Sequence, residues 1–366
     1  MIIGTLTLLI IIIFTLITVV LAIMAPILIH LPQFGKAPSG SRLERIRRSP
    51  HYRDGQFRNL QPTEIMNVKG LQFFKVMLKF VFGKKRNLTP PTPLPMVKAD
   101  LNHLDPSRDY YIWFGHSSYL ISLHGTTFLV DPTFCAGAPF KFANKAFAGT
   151  ERYLPEDMPS HIDYLIITHD HYDHLDYQTY CRLRTRIGHV ICPLGVGAHL
   201  ERWGAAPTQI IEMDWDERQP LSDGFSIFCL PSQHFSGRAL KRNNTLWASF
   251  LLNTPHGNIF IGCDGGYGPH FKEIGKNHPN IDLAILENGQ YNEQWKSIHT
   301  LPEQLGKEAT DLHARQIITV HHSKYALAQH PWDEPLQNEM KARDEYHLNL
   351  IVPALGSITE LQLRQN

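Results

Sequence analysis

The chain has 366 residues, with 35 Lys and Arg against 34 Asp and Glu and a pI near 7.8. Basic residues that are spread rather than massed, at a net charge of +1, exclude the electrostatic footprint of a nucleic-acid binder. Cys135, Cys181, Cys192, Cys229 and Cys263 show no metal-type pair spacing, and an odd, scattered set fits a reducing compartment rather than a disulfide framework.

From Ile2 to Ile29 no charge interrupts a run rich in Ile, Leu and Val, and a bilayer takes about 20 apolar residues to span. A cleaved signal peptide would carry a basic residue before a shorter apolar core, and none precedes this run. Residues 1–32 are therefore expected to be a transmembrane anchor. Lys36, Arg42, Arg45, Arg47 and Arg48 follow it, which by the positive-inside rule places the rest of the chain on the cytoplasmic face of a single-pass topology.

Between Met66 and Phe82, Leu71, Phe73, Phe74, Val76, Met77, Leu78, Phe80 and Val81 are apolar, while Gln72, Lys75 and Lys79 share one helical stripe. Such a segment suits a helix lying in the headgroup plane, or one packed on the following domain with its charges solvated. Asn87 to Pro95, with four prolines, reads as an extended connection. Residues 33–100 thus form a basic juxtamembrane region, and residues 101–366 the main domain.

That domain reads as short strands with helices between them. The strand candidates are Tyr110 to Phe114, Tyr119 to Leu123, Thr127 to Val130, Tyr164 to Thr168, His189 to Cys192, Phe225 to Leu230, Ala248 to Leu252, Asn258 to Ile261, Leu283 to Leu286, Ile317 to Val320 and Leu348 to Val352. About 250 residues are ample for one buried core.

The fourth of these strands runs straight into Thr168-His169-Asp170-His171-Tyr172-Asp173-His174. In an extended segment His169 and His171 project to one side and can grip one metal, while Asp173 and His174, around the turn, reach a second. Imidazole with carboxylate suits zinc, and also iron or manganese, and a binuclear pair of this kind makes a hydroxide nucleophile near neutral pH. Further donors stand just past apolar strands: His234 after Phe225 to Leu230, Asp264 after Asn258 to Cys263, and His321 after Ile317 to Val320.

These residues resemble the metallo-β-lactamase superfamily, whose His-x-His-x-Asp-His signature is His169 to His174 here. Trp113-Phe114-Gly115-His116-Ser117-Ser118, Asp131-Pro132, Leu246 to Phe250, Asp264-Gly265-Gly266-Tyr267, Ile298-His299, Pro302-Glu303 and Trp332-Asp333-Glu334-Pro335 look like its branch of N-acylphosphatidylethanolamine-hydrolysing phospholipases D. The matches cover roughly Asp109 to Pro335. The resemblance implies an α/β fold of two sheets packed face to face with helices outside, an αβ/βα sandwich, and metals at one edge. It implies His169, His171 and His234 on one metal, Asp173, His174 and His321 on the other, and Asp264 bridging them.

A hydroxide between the two metals would attack phosphorus or a carbonyl carbon, oriented by Asp173 or Asp264. The resemblance implies phosphodiester cleavage to phosphatidic acid and an N-acylethanolamine. His299 lies in the loop that resembles the family's substrate side and would bind phosphate or donate a proton, and His116 would support the site from behind. The L-ascorbate-6-phosphate lactonases share the metal pattern, so a lactonase or another hydrolase of a small polar substrate is the alternative. Cys263 and His322-Ser323 depart from the branch's usual residues beside the metals, and His322 is a second candidate for the ligand position of His321, although strand neighbours face opposite ways.

Overall fold

The computed structural model describes residues 2–66, 70, 75–76, 78, 83, 87–239 and 241–363, with the backbone alone for residues 2–10, 21, 23 and 25. The basic helix expected between Met66 and Phe82 falls mostly outside the described residues. The helices are α1 (Ile2–Ile29), α2 (Gly40–Arg48), α3 (Tyr177–Leu183), α4 (Gly197–Arg202), α5 (Pro269–Asn277), α6 (Leu305–Asp311) and α7 (Glu334–Tyr346). The strands are β1 (Tyr52–Arg53), β2 (Gln56–Phe57), β3 (Tyr110–Trp113), β4 (Tyr119–Leu123), β5 (Thr126–Val130), β6 (Ile162–Ile166), β7 (Ile187–Pro193), β8 (Ile210–Met213), β9 (Arg218–Pro220), β10 (Ser226–Leu230), β11 (Gly237–Arg238), β12 (Lys241–Arg242), β13 (Ser249–Thr254), β14 (Gly257–Ile261), β15 (Ile281–Glu287), β16 (Gln316–Val320) and β17 (Ile358–Glu360).

Two sheets carry the domain, one ordered β17-β3-β4-β5-β6-β7-β8 and the other β16-β15-β14-β13-β10-β9. Period-2 alternation sorts their side chains. Ile259, Ile261, Leu283 and Ile285 enter the core between the sheets, and their neighbours Phe260, Ala284 and Leu286 enter a second cluster. There they meet Phe271 and Ile274 of α5, Leu305 and Ala309 of α6, and Ala342 of α7. Each such Ile, Leu or Phe side chain, fully buried, contributes roughly 1.5–3 kcal/mol. The αβ/βα sandwich expected from the resemblance is what forms.

Strand direction places the site. β5 and β6 run parallel, and β3 runs with them because it is antiparallel to β4, as β4 is to β5. By the same logic β10, β14, β15 and β16 share one direction. His116, Asp131, His169, His234, Asp264 and His321 follow the C-terminal ends of six of these strands, and Glu287 is the last residue of the seventh, β15.

The expected strand at Leu348 to Val352 reduces to a single bridge between Ile317 and Leu350. α7 ends on His347 in the left-handed region, φ 53°, and the segment just beyond it pairs with β16 through Ile317 only. β8, β9 and β17 were not expected.

At the N-terminus α1 runs 28 residues with Pro26 inside it, and its side chains at Phe14 and Leu16 are 73% and 65% exposed. Among the described residues, however, no helix is long and apolar enough to cross a membrane. The transmembrane expectation is not met on these residues. Beyond α1 the chain packs on the sandwich: Ile46 of α2 and Phe57 of β2 are fully buried in the inter-sheet cluster. Arg42 holds Glu201 at 2.7 Å and Glu212 at 2.6 Å, and Arg45 holds Glu217 at 2.8 Å, so two cations of the basic flank serve the fold.

Candidate metal centre

The turn after β6 does what its alternation predicts. His169 Nε2 lies 2.8 Å from His171 Nδ1, and His234 Nε2 lies 3.3 Å from the same atom. Asp170 faces away, accepting from Gly237 N at 2.8 Å and Thr245 Oγ1 at 2.9 Å. Those bonds pin the turn from behind. Asp176 caps α3 through Gln178 N and stops the loop two residues past His174.

A second group forms where β3, β6 and β16 end. His116, Asp173, His174 and His321 bring one ligand atom each within 4.8 Å of one another, as do His169, His171 and His234. Asp264 stands between the groups. Its Oδ2 is 3.1 Å from His174 Nε2, 3.9 Å from His169 Nε2 and 4.0 Å from His234 Nε2, and its Oδ1 is 3.2 Å from His321 Nδ1. All seven residues expected as ligands therefore meet in one place. His321 faces the group, whereas His322 turns away to Thr319 Oγ1 at 3.1 Å and packs on Trp113.

The imidazoles of His174 and His234 are oriented from outside. Asp131 Oδ2 accepts from His174 Nδ1 at 2.8 Å, Ile298 O accepts from His234 Nδ1 at 2.8 Å, and Ser117 Oγ lies 3.0 Å from His321 Nδ1. Asp173 Oδ2 accepts from His116 Nε2 at 2.9 Å. His116 is itself fixed, because its backbone exchanges bonds with His321 and His322 and its carbonyl accepts from Trp113 Nε1. His116, Asp131 and His321 all have φ between 40° and 71°, a left-handed conformation that non-glycine residues adopt at a cost and that clusters at functional sites.

The donor set fits divalent cations. Burial drives His169, His234 and His321 well below the usual imidazole range, so they are neutral and offer lone pairs, as metal binding requires. Burial opposes the ionisation of Asp264, yet His174 and His321 hold its carboxyl well below the usual range. Burial also works against a proton on His174, but Asp264, Asp173 and Asp131 raise it well above the ordinary value, and the same three carboxylates favour a cation in the proton's place. His174 Nε2 is buried with no well-aligned hydrogen bond among the described residues, although Asp264 Oδ2 stands 3.1 Å away. A tetrahedral metal with bonds of about 2.0–2.1 Å to nitrogen sets its donors about 3.3 Å apart, close to the spacing of His171 and His234.

Glu287 and Asp131 were not singled out for roles, although both close apolar strands as Asp264 does, which was the available signal. Glu287 is buried, accepts from Thr300 N at 2.6 Å and Gly265 N at 3.1 Å, and receives His299 Nδ1 at 3.2 Å. Glu287 and His299 form a further group with Asp264 and His321. His299 thus borders the cluster, with its ring 5.1 Å from that of His234 and 5.5 Å from that of His321. A cleft of about 300 Å³ opens here, lined by Asp173, Asp264 and His299, by apolar Phe235, Trp295 and Ile298, and by Arg242.

A model of the beta-lactamase superfamily domain matches residues 126–322. An uncharacterized protein of Mycobacterium tuberculosis is 34% identical over 317 residues, 84% of this chain and 83% of that one. A Caenorhabditis elegans protein named N-acyl-phosphatidylethanolamine-hydrolyzing phospholipase D 1 is 30% identical over 264 residues, covering 66% of this chain and 71% of its own. Among solved structures, Igni18, a metallo hydrolase from Ignicoccus hospitalis, superposes with a TM-score of 0.53 at 17% identity, over 69% of this chain and 98% of that one.

Proposed function

The chain belongs to the metallo-β-lactamase superfamily, in a branch resembling the N-acylphosphatidylethanolamine-hydrolysing phospholipases D, and from that premise we propose that this metallo-hydrolase cleaves the phosphodiester of N-acylphosphatidylethanolamine-type lipids. Two zinc ions would be its metals in this reading: His169, His171 and His234 would hold one, Asp173, His174 and His321 the other, and Asp264 would lie within reach of both. When bound, the pair supplies an activated water and neutralises charge on the phosphoryl oxygens.

The observation that carries the substrate reading is the cleft. Its apolar walls at Phe235, Trp295 and Ile298 suit acyl chains, and Arg242 at its rim suits a phosphodiester anion. His116 and Asp131 keep Asp173 and His174 in register, and Asp173 and Asp264 orient the attacking water. Water's oxygen forms the new bond to phosphorus while the bond from phosphorus to the ethanolamine oxygen breaks. His299, paired with Glu287, delivers the proton that the leaving alkoxide takes up, and the proton released by the attacking water restores it. The products are phosphatidic acid and an N-acylethanolamine.

In the same reading α1 lodges in a lipid bilayer, supported by its exposed Phe14 and Leu16, with the catalytic domain on the cytoplasmic side as the basic residues after it favour. Residues 1–32 then form the anchor, 33–100 the juxtamembrane region and 101–366 the catalytic domain. The test is hydrolysis of N-acylphosphatidylethanolamine vesicles beside a lactone panel. Lipid turnover abolished by a chelator supports the proposal, and turnover of lactones alone refutes it.

A further inference from the structure

A larger cavity lies beside the metal centre, about 770 Å³ against about 300 Å³ for the catalytic cleft; the two share no lining residue, and Tyr325 of its wall meets the His116 ring at 5.2 Å. The chain leaving β5 folds back at residues 134–147 and meets the segment following His321 there. Phe134, Tyr153 and Tyr325 wall the cavity, and Phe140 and Phe142 stand at its mouth. Its size is that of a small-molecule site, with an aromatic side and a polar side to which Lys141, Asn144, Lys145 and Glu151 belong.

Lys324 lines this cavity and is 3% exposed. Its ammonium has three donors, of which one reaches Phe114 O at 3.2 Å. The ammonium otherwise lies 5.4 Å and 5.8 Å from the ring centroids of Phe134 and Tyr325. The acids that act on it are committed elsewhere. Asp176 accepts from Thr179 Oγ1 and from Cys135 N and Ala136 N, and Glu151 pairs with Lys141.

Nor is this a mobile surface lysine. A Cβ on Gly115 would stand 3.2 Å from Lys324 Cβ, and Lys324 O accepts from Phe147 N at 2.8 Å, so the stem is held on both sides. Burial lowers the ammonium to about 8, which leaves it charged at neutral pH. A buried charge without a counter-ion is costly, and natural proteins pair such groups.

The mouth has the opposite character. Phe140 and Phe142 stack with centroids 5.5 Å apart, and Phe142 is 87% exposed. Phe34, just past α1, meets Phe140 edge-on at 6.0 Å, and Gln33 lines the opening. An apolar occupant could therefore enter beside the end of α1.

We propose that this cavity binds a long-chain carboxylate, a fatty-acid anion, with its carboxylate on Lys324 and its chain along Phe134, Tyr153 and Tyr325 toward Phe142. The site is separate from the reaction centre and stands whether or not the lipid phosphodiester is the substrate. Dodecanoate, dodecanol and dodecyl phosphate, each titrated below its micelle concentration into the full-length metal-loaded protein, test it by calorimetry. One site for dodecanoate is expected, weakened at least tenfold by Lys324→Met while dodecanol binding changes less than twofold.

Phe142→Ala alters an exposed side chain, keeps the fold and should weaken dodecanoate and dodecanol alike. Absence of dodecanoate binding, or equal dodecanoate affinity in Lys324→Met, overturns the proposal. Tighter binding of dodecyl phosphate than of dodecanoate overturns it in favour of a phosphate site. Should Lys324→Met not fold, the parent and Phe142→Ala decide: equal affinity for dodecanoate and dodecanol removes the carboxylate claim.

Discussion

Asp131 Oδ2 accepts a hydrogen bond from His174 Nδ1 at 2.8 Å, joining the end of β5 to the metal-type turn after β6 with both side chains buried. The same carboxylate takes Thr168 N at 2.9 Å and Thr168 Oγ1 at 2.6 Å, so it fixes the first residue of the turn as well as the last. An imidazole held this way keeps its tautomer and presents Nε2 to a cation.

Asp131→Asn keeps the size of that side chain and removes its charge. The expected loss is about 10–100-fold in metal affinity, the usual effect of removing a carboxylate behind a ligating histidine. Competition with a chelator of known affinity measures it, and unchanged affinity would show that His174 is oriented without Asp131.

His299→Gln separates proton delivery from metal binding. Because His299 borders the cluster through Glu287, the variant should retain its metals while kcat falls about 10²-fold, at the low end of general acid–base effects. Metal analysis beside steady-state kinetics checks both, and a variant that loses metal and rate together would make His299 a ligand instead.

Glu339 supplies a pH dependence away from the centre. Burial raises its carboxyl to about 7 from 4.5, and the hydroxyl of Thr319 donates to it. The folded protein therefore keeps a proton that the unfolded chain releases between about pH 4.5 and 7. The stability this group contributes is full below about pH 4.5 and is lost as pH rises toward 7, at up to roughly 1.4 kcal/mol per pH unit. The difference in Tm between parent and Glu339→Gln should grow in the variant's favour across that range, and a constant difference would place the carboxyl near its ordinary value.

Arg42→Ala removes the guanidinium that ties α2 to Glu201 and Glu212. Glu212 keeps Gly195 N at 2.7 Å and Gly197 N at 3.1 Å, so the loss is that of hydrogen bonds between charged groups, about 1.5–3 kcal/mol. Urea unfolding measures it. Activity per folded molecule should be unchanged, and an unaltered midpoint would mean that Ile46 and the Arg45–Glu217 pair hold α2 on the sandwich without it.

Most of the sandwich was legible because its central strands are buried on both faces and so read as apolar runs: all ten candidates from Tyr110 to Val320 are strands. The edges were not. β8 reads Ile-Ile-Glu-Met, and its Glu212 is there to meet Arg42, a partner 170 residues away that no local pattern shows. β17 spans three residues and is defined by pairing with β3.

At the site, ligand-type residues just past strands were visible, and the structure gathers them. The sequence alone could not say that His116 and Asp131 would sit in left-handed turns behind the cluster, since those conformations depend on bonds from β16 and Thr168. The burial of Ile46 and Phe57 in the core is equally non-local, and a basic flank of charged residues concealed it.

Metal content measured beside N-acylphosphatidylethanolamine hydrolysis, in the parent and in Asp264→Asn, tests whether a two-metal centre around Asp264 hydrolyses a lipid phosphodiester. Two metal ions per chain and lipid turnover are expected in the parent, with turnover abolished and metal content reduced in the variant. Lipid turnover that persists in Asp264→Asn, or a parent that turns over lactones and no lipid, would contradict this.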